Sequence, residues 1–184
     1  PPLAKPAGER WPLVFRYPFS GSRQLLDLEL VDRLTMRFDL AGRASSPHSA
    51  VIRLGGGMPQ MPPEGFIRIE GDTGVLDLDG WIDVIIDGAL GGKGMGGLVL
   101  ENGDLQAANM LFIDRSFENV NLVFEVVDAE VQAGFKAADI DGKVRFTRSE
   151  TGPGSLTAEF ERLVLGDPVT TGVDVQSDPA ELPA

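Results

Sequence analysis

Apolar and polar residues alternate with a period of two along most of the chain. Residues 26–30 read Leu-Asp-Leu-Glu-Leu, and residues 34–39 read Leu-Thr-Met-Arg-Phe-Asp. This period is typical of β-strands that have one apolar and one polar face. Similar runs recur as far as residue 160, and they predict roughly ten to twelve strands joined by short turns rich in Gly, Pro, Asp or Asn.

The polar face of these strands indicates whether neighbouring strands run parallel or antiparallel. Parallel strands are usually buried on both faces and read as unbroken apolar runs, so the alternation predicts a mainly β, antiparallel fold. Two such sheets can pack face to face as a β-sandwich. The same pattern also suits one long, strongly curved antiparallel sheet, a taco-like open groove with its apolar face inside. The period alone leaves both architectures open.

Residues 80–87 depart from the strand period. Their apolar side chains, beginning at Trp81, recur at the i, i+3 and i+4 spacing of a helix. Asp79 precedes them and is a suitable N-cap residue. The sequence therefore predicts one short helix near residues 80–87, followed by a glycine-rich loop over residues 88–97.

Composition and charge narrow the range of functions. The 184 residues carry a formal net charge of −12. Nucleic-acid binding relies on clustered Lys and Arg, so we expect no nucleic-acid partner. With no cysteine and a single histidine, thiolate metal sites, cysteine catalysis and multi-histidine sites are excluded. We expect neither a metal nor a cofactor.

Three motifs invite a chemical interpretation, and each lacks a necessary part. Residues 92–97 satisfy the G-x-G-x-x-G pattern, but a strand follows where a dinucleotide site needs a helix. The acidic cluster around Asp77 and Asp79 lacks the ligand spacing of a calcium loop. Glu159 and Glu161 lie two apart, with nothing local to raise the pKa of one above the other. We therefore predict no catalytic residues and no enzyme.

Three stretches carry a resemblance to a known family. Residues 2–13 read Pro-Leu-Ala-Lys-Pro-Ala-Gly-Glu-Arg-Trp-Pro-Leu, and residues 62–71 read Pro-Pro-Glu-Gly-Phe-Ile-Arg-Ile-Glu-Gly before Leu-Asp-Leu-Asp-Gly-Trp at 76–81. Residues 160–165 read Phe-Glu-Arg-Leu-Val-Leu, and the chain ends in Asp-Pro-Ala-Glu-Leu-Pro-Ala. In this order the phrases resemble the YhdP family of AsmA-like bacterial envelope proteins. One departure is strand 130–133, where that family usually has a tryptophan.

The resemblance implies a fold and a function. Family members look like taco-shaped antiparallel sheets whose apolar groove moves phospholipids between the inner and outer membranes. On this hypothesis residues 1–184 are a single segment of a longer periplasmic protein, anchored in the inner membrane and contacting the outer membrane elsewhere. Phospholipid acyl chains are the expected partners, and open sheet edges would let copies associate. The alternative is a structural or protein-binding β-sandwich spacer without lipid.

The candidate lipid-groove lining is the set of apolar-face residues. An aspartate in place of Phe124 or Leu28 is expected to block lipid passage in the folded protein. A bulge that shifts the register by one residue would swap the inward and outward faces. The predicted lining residues are Leu26, Leu28, Leu30, Leu34, Met36, Phe38, Ile52, Leu54, Ile67, Ile69, Leu76, Leu78, Leu105, Leu111, Ile113, Leu122, Phe124, Val126, Val144, Phe146, Leu156 and Phe160.

Overall fold

In a computed structural model, most of the residues that the structure describes lie in strands. The structure covers residues 8, 10–17, 24–30, 33–40, 47–82, 97–127, 130–147 and 154–166. The second half of the predicted helix, 83–87, and residues 88–96 of the predicted loop lie outside these ranges. The elements are β1 (Leu13–Arg16), β2 (Leu25–Leu30), β3 (Leu34–Asp39), β4 (Ser49–Leu54), β5 (Phe66–Asp77), α1 (78–82), β6 (Val99–Phe112), β7 (Arg115–Val127), β8 (Glu130–Lys136), β9 (Ile140–Thr147) and β10 (Ser155–Leu163).

All ten strands belong to one sheet, and their order in the sheet is their order in the chain. The prediction of a mainly β fold with one short helix is confirmed. β1 pairs only with β2 and β10 only with β9, so the described sheet has two edges and is not closed. Both edge strands are exposed along nearly their whole length.

The sheet is mixed, and the prediction of a wholly antiparallel sheet is wrong at its centre. β5 runs parallel to both β4 and β6, while every other described pair is antiparallel. The cause lies in the connections. Residues 55–65 and 78–98 separate these strands, whereas a hairpin needs only a few residues and a parallel pair needs a long crossover.

The two crossovers touch opposite faces of the sheet. In the first, the Met58 sulfur accepts a hydrogen bond from Arg37, and the Gly56 carbonyl accepts one from Arg53. Both arginines lie on the polar face, as does Val51, which is opposite Arg37 and completely buried. The second crossover begins with α1, whose apolar side chains pack on the other face. The apolar face is therefore covered at its centre by the second crossover alone among the described connections.

The N-cap of α1 is Asp77, and the prediction of Asp79 is wrong. The Gly80 backbone N–H donates to Asp77 Oδ1 at 3.0 Å, and helical residues begin at 78. A carboxylate three residues before the donor satisfies one of the free N–H groups of the first turn. Asp79 is exposed within that turn. The helix thus starts directly at the end of β5, with no linker between them.

Replacing the cap should loosen α1. Asp77→Ala is expected to lower the free energy of unfolding by about 1 kcal/mol, because an orphan N–H loses its acceptor. Asp79→Ala is the matched control, since it removes the same charge from an exposed position and should change stability by less than about 0.5 kcal/mol. Urea unfolding followed by tryptophan fluorescence measures both variants. Equal losses in the two variants would contradict the assignment of the cap.

Partway along β6 and β7, the alternating positions whose side chains point inward shift by one residue. Leu105 and Ala107 are buried on β6, but beyond them the buried positions are Met110 and Phe112. On β7 the change falls at Asn119, which has a positive φ of 51°. A left-handed residue of this kind kinks a strand and re-aims its side chains.

This change of phase corrects two of the predicted face residues. Leu111 lies opposite Ser116, outside the buried cluster. Ile113 is exposed and lies in the β6–β7 turn with Asp114, where both residues have positive φ, as a type I′ hairpin requires. The prediction that Leu111 and Ile113 share a face with Leu105 is therefore wrong.

Candidate functional site

The candidate site is the apolar face of the sheet. Its core is one cluster of buried apolar side chains that extends from β3 to β9, with half-buried residues of β2 and β10 packed against it. Leu26 and Leu28 lie directly opposite Phe38 and Met36, which places them on the same face. The predicted residues in the cluster are Leu30, Leu34, Met36, Phe38, Ile52, Leu54, Ile67, Ile69, Leu76, Leu78, Leu105, Leu122, Phe124, Val126, Val144, Phe146 and Phe160.

Burial divides this face into a closed centre and two accessible flanks. In the centre, on β4 to β7, most predicted side chains are less than a tenth exposed and form a packed core. The N-terminal flank consists of half-buried residues of β2 and β3, namely Leu26, Leu28, Leu30, Met36 and Phe38. The C-terminal flank lies on β7, β9 and β10 and consists of the half-buried Val126, Val144, Phe146 and Phe160 and the exposed Leu156.

Helix α1 closes the centre unequally on its two sides. Toward β4, β5 and β6, Trp81 fills the space beside Leu54, and a gap of only about 10 Å³ remains. Toward β8, β9 and β10, Ile82 borders a hollow of about 70 Å³, which we call the α1 hollow. Apolar side chains alone line this hollow, and Leu156 at its edge is 62% exposed.

Some residues of the site were not among the predicted lining residues. Trp81 and Ile82 of α1 lie against the strands, and the rings of Phe112 and Phe135 stack across β7 with centroids 5.7 Å apart. The helical spacing of the apolar residues from Trp81 onward indicates that one side of the helix is apolar. No local signal identified Phe112, because the phase change on β6 moves it to the inward face.

Phe124 is central to the face because it compensates for a missing side chain. It is 2% exposed and pairs with Gly103 on β6. A Cβ atom on Gly103 would overlap the Phe124 ring, so the ring occupies the space that a side chain would otherwise fill. Phe124 is therefore a core residue that also touches both cavities beside α1.

The opposite face is polar and carries ion pairs between neighbouring strands. The best formed is bidentate: Arg37 Nε and Nη2 donate to the two Asp27 oxygens at 2.6 and 2.8 Å. The hydrogen bond from Arg37 to Asp27 raises the pKa of Arg37, so its charge persists at every working pH. Further pairs between described strands include Arg16 with Glu29, Arg53 with Glu70, Arg68 with Glu101, and Arg145 with Glu130.

Asp72 and Asp77 of the acidic cluster have structural partners on this polar face or its margins. Asp72 lies 3.7 Å from Arg53, and Asp77 caps α1. Glu159 and Glu161 are exposed on the edge strand β10. Within the described ranges no three potential metal ligands come together, and no helix there has the length and apolar character to cross a bilayer. Residues 92–96 of the glycine motif lie outside those ranges.

Comparisons with protein-family models, with curated proteins and with solved structures give no match for this chain. The chemistry of the two faces is therefore the feature of the chain that bears on its function.

Proposed function

We propose that the apolar face binds phospholipid acyl chains and that the chain is a section of a hydrophobic groove carrying phospholipids between the inner and outer membranes. The observation that carries this proposal is the segregation of the sheet into two faces. One face has accessible apolar flanks, and the other holds the inter-strand ion pairs. Curvature of the sheet around the apolar face would complete the groove.

The energetics favour such a ligand. Each methylene of an acyl chain is stabilised by about 0.8 kcal/mol when it moves from water to an apolar environment. An apolar track therefore removes most of the free-energy barrier to movement of the chain. Transport also needs repeated weak contacts, which generic aliphatic side chains such as Leu28, Val144 and Leu156 provide. The function needs no catalytic group, metal or cofactor. The resemblance to AsmA-like proteins adds the periplasm as the proposed location.

The packed centre of the sheet favours a second candidate, a structural or protein-binding spacer without lipid. Leu54, Leu105 and Phe124 are buried under α1 and beside their neighbours. They therefore stabilise the fold whether or not a ligand is bound. The two functions differ in one measurable respect, because only the groove section retains lipid.

Lipid retention tests the proposal. Leu28→Asp with Leu156→Asp places one charge on each accessible flank. At least about a tenfold loss of bound lipid is expected, because an acyl chain lying over these positions would remove each carboxylate from water. Thr35→Asp with Thr157→Asp is the matched control, because it adds the same charges to the polar face. Mass spectrometry of organic extracts of the purified proteins measures the phospholipid. A wild-type protein without lipid, or equal losses in both double variants, would contradict the proposal.

A further inference from the structure

We infer that a phospholipid acyl chain binds in the α1 hollow, between α1 and strands β8 to β10, and that α1 excludes acyl chains from the opposite side of the helix. This inference rests on the proposed function and specifies where on the apolar face the ligand lies. It makes Ile82 a wall of the binding site and Trp81 a plug. Neither residue belongs to the lining that the strand period predicts.

The two sides of α1 differ in the space that they leave. Trp81 and Leu54 line the gap of about 10 Å³ on one side, which has no room for even one methylene chain. The α1 hollow on the other side is about 70 Å³ and is partly open. It extends past Phe146 to Leu156, so a chain longer than the hollow can leave across the exposed edge strand.

The lining of the hollow selects an acyl chain over a polypeptide. All of its side chains are apolar, among them Ile82, Ala133 and Val144, and none of them offers a hydrogen bond. A peptide segment in this space would bury backbone N–H and C=O groups without partners, at a cost of roughly 1–3 kcal/mol for each group. An acyl chain has no such groups. The chemistry therefore favours a lipid tail as the occupant.

The N-terminal flank is the competing position on the same face. Leu28 and Met36 are half-buried there, and neither lines the α1 hollow or the gap beside Trp81. A chain lying on that flank would be covered on one side only. The α1 hollow provides contacts from the strands and from the helix together, so more of each methylene is removed from water.

Photo-crosslinking locates the acyl chain without any substitution. The wild-type chain is incubated with vesicles of phosphatidylethanolamine and phosphatidylglycerol that contain a phosphatidylcholine with a diazirine in one acyl chain. After irradiation, peptide mass spectrometry is expected to find the label on Ile82, Phe146 or Leu156. Label confined to Leu28 and its neighbours would overturn this inference and leave the proposed function standing. Absence of any label would overturn both.

A pair of substitutions provides an independent test. Ala133→Phe fills the α1 hollow and should weaken binding of the diazirine lipid about tenfold, which is the effect of leaving roughly two methylenes unburied. Met36→Phe adds an aromatic ring to the N-terminal flank and should change binding by less than about twofold. Circular dichroism checks that both variants are folded. Equal binding by Ala133→Phe and the wild type would overturn the inference.

Discussion

Gly71→Ala is expected to destabilise the sheet by more than about 3 kcal/mol, because two separate costs fall on one residue. Gly71 has a φ of 117°, a conformation that an alanine adopts only with strain. Its missing side chain also matters. A Cβ atom there would overlap the backbone carbonyl of Leu54, the residue opposite Gly71 in the parallel ladder. A backbone atom cannot move aside as a flexible side chain can.

Gly74→Ala is the matched control for this substitution. Gly74 lies on the same strand, and a Cβ atom there would meet nothing within 4 Å. Its replacement should change stability by less than about 1 kcal/mol, partly through the lower entropy of the unfolded chain. Urea unfolding compares the two variants. Similar stabilities would show that β4 and β5 do not pair at Gly71 as described.

Phe124→Asp is expected to unfold the protein. Loss of the ring alone should cost about 3–5 kcal/mol, and a carboxylate in the same apolar site adds several more. Together these costs approach the whole stability of a typical domain, about 5–15 kcal/mol. The burial of Phe124 thus changes the initial expectation that this variant blocks lipid passage while folded. Far-ultraviolet circular dichroism should show loss of the strand signal at room temperature.

Leu28→Asp is the useful counterpart of Phe124→Asp. Leu28 is half-buried on the N-terminal flank, so its carboxylate stays in contact with water. The variant should remain folded, with a loss of about 1 kcal/mol. Leu28→Asp, unlike Phe124→Asp, therefore measures the effect of a charge on lipid passage in a protein that remains folded. A folded Phe124→Asp protein with a near-native melting temperature would contradict the position of Phe124 over Gly103.

The faces of most strands could be predicted because side-chain alternation is a local property. Leu34, Met36 and Phe38 point to one side whatever their strand pairs with, and the same holds for Ile67 and Ile69. The period fails where one backbone residue leaves the extended conformation. Asn119 on β7 is such a residue, and nothing in the sequence indicates that the buried positions change parity there or after Ala107 on the neighbouring β6.

Strand direction could not be predicted from the same pattern. Whether β5 lies parallel to β4 depends on where residues 55–65 pass, and that path is decided by distant contacts such as Arg37 with Met58. The helix was predicted from its spacing, but its cap was not. Asp77 and Asp79 are equally good capping residues in the sequence, and only the end of β5 decides between them.

The two edge strands of the described sheet differ in length, and this difference affects the symmetry with which copies of the chain could associate. β1 is four residues long and β10 is nine. Two copies of β10 can pair about a twofold axis through Ala158, which sets Leu156 opposite Phe160 and Thr157 opposite Glu159. Such an isologous contact is closed and uses the longer edge of both copies. Association through β10 would therefore give a closed dimer instead of an open fibre, and with a net charge of −12 on each chain added salt would strengthen it.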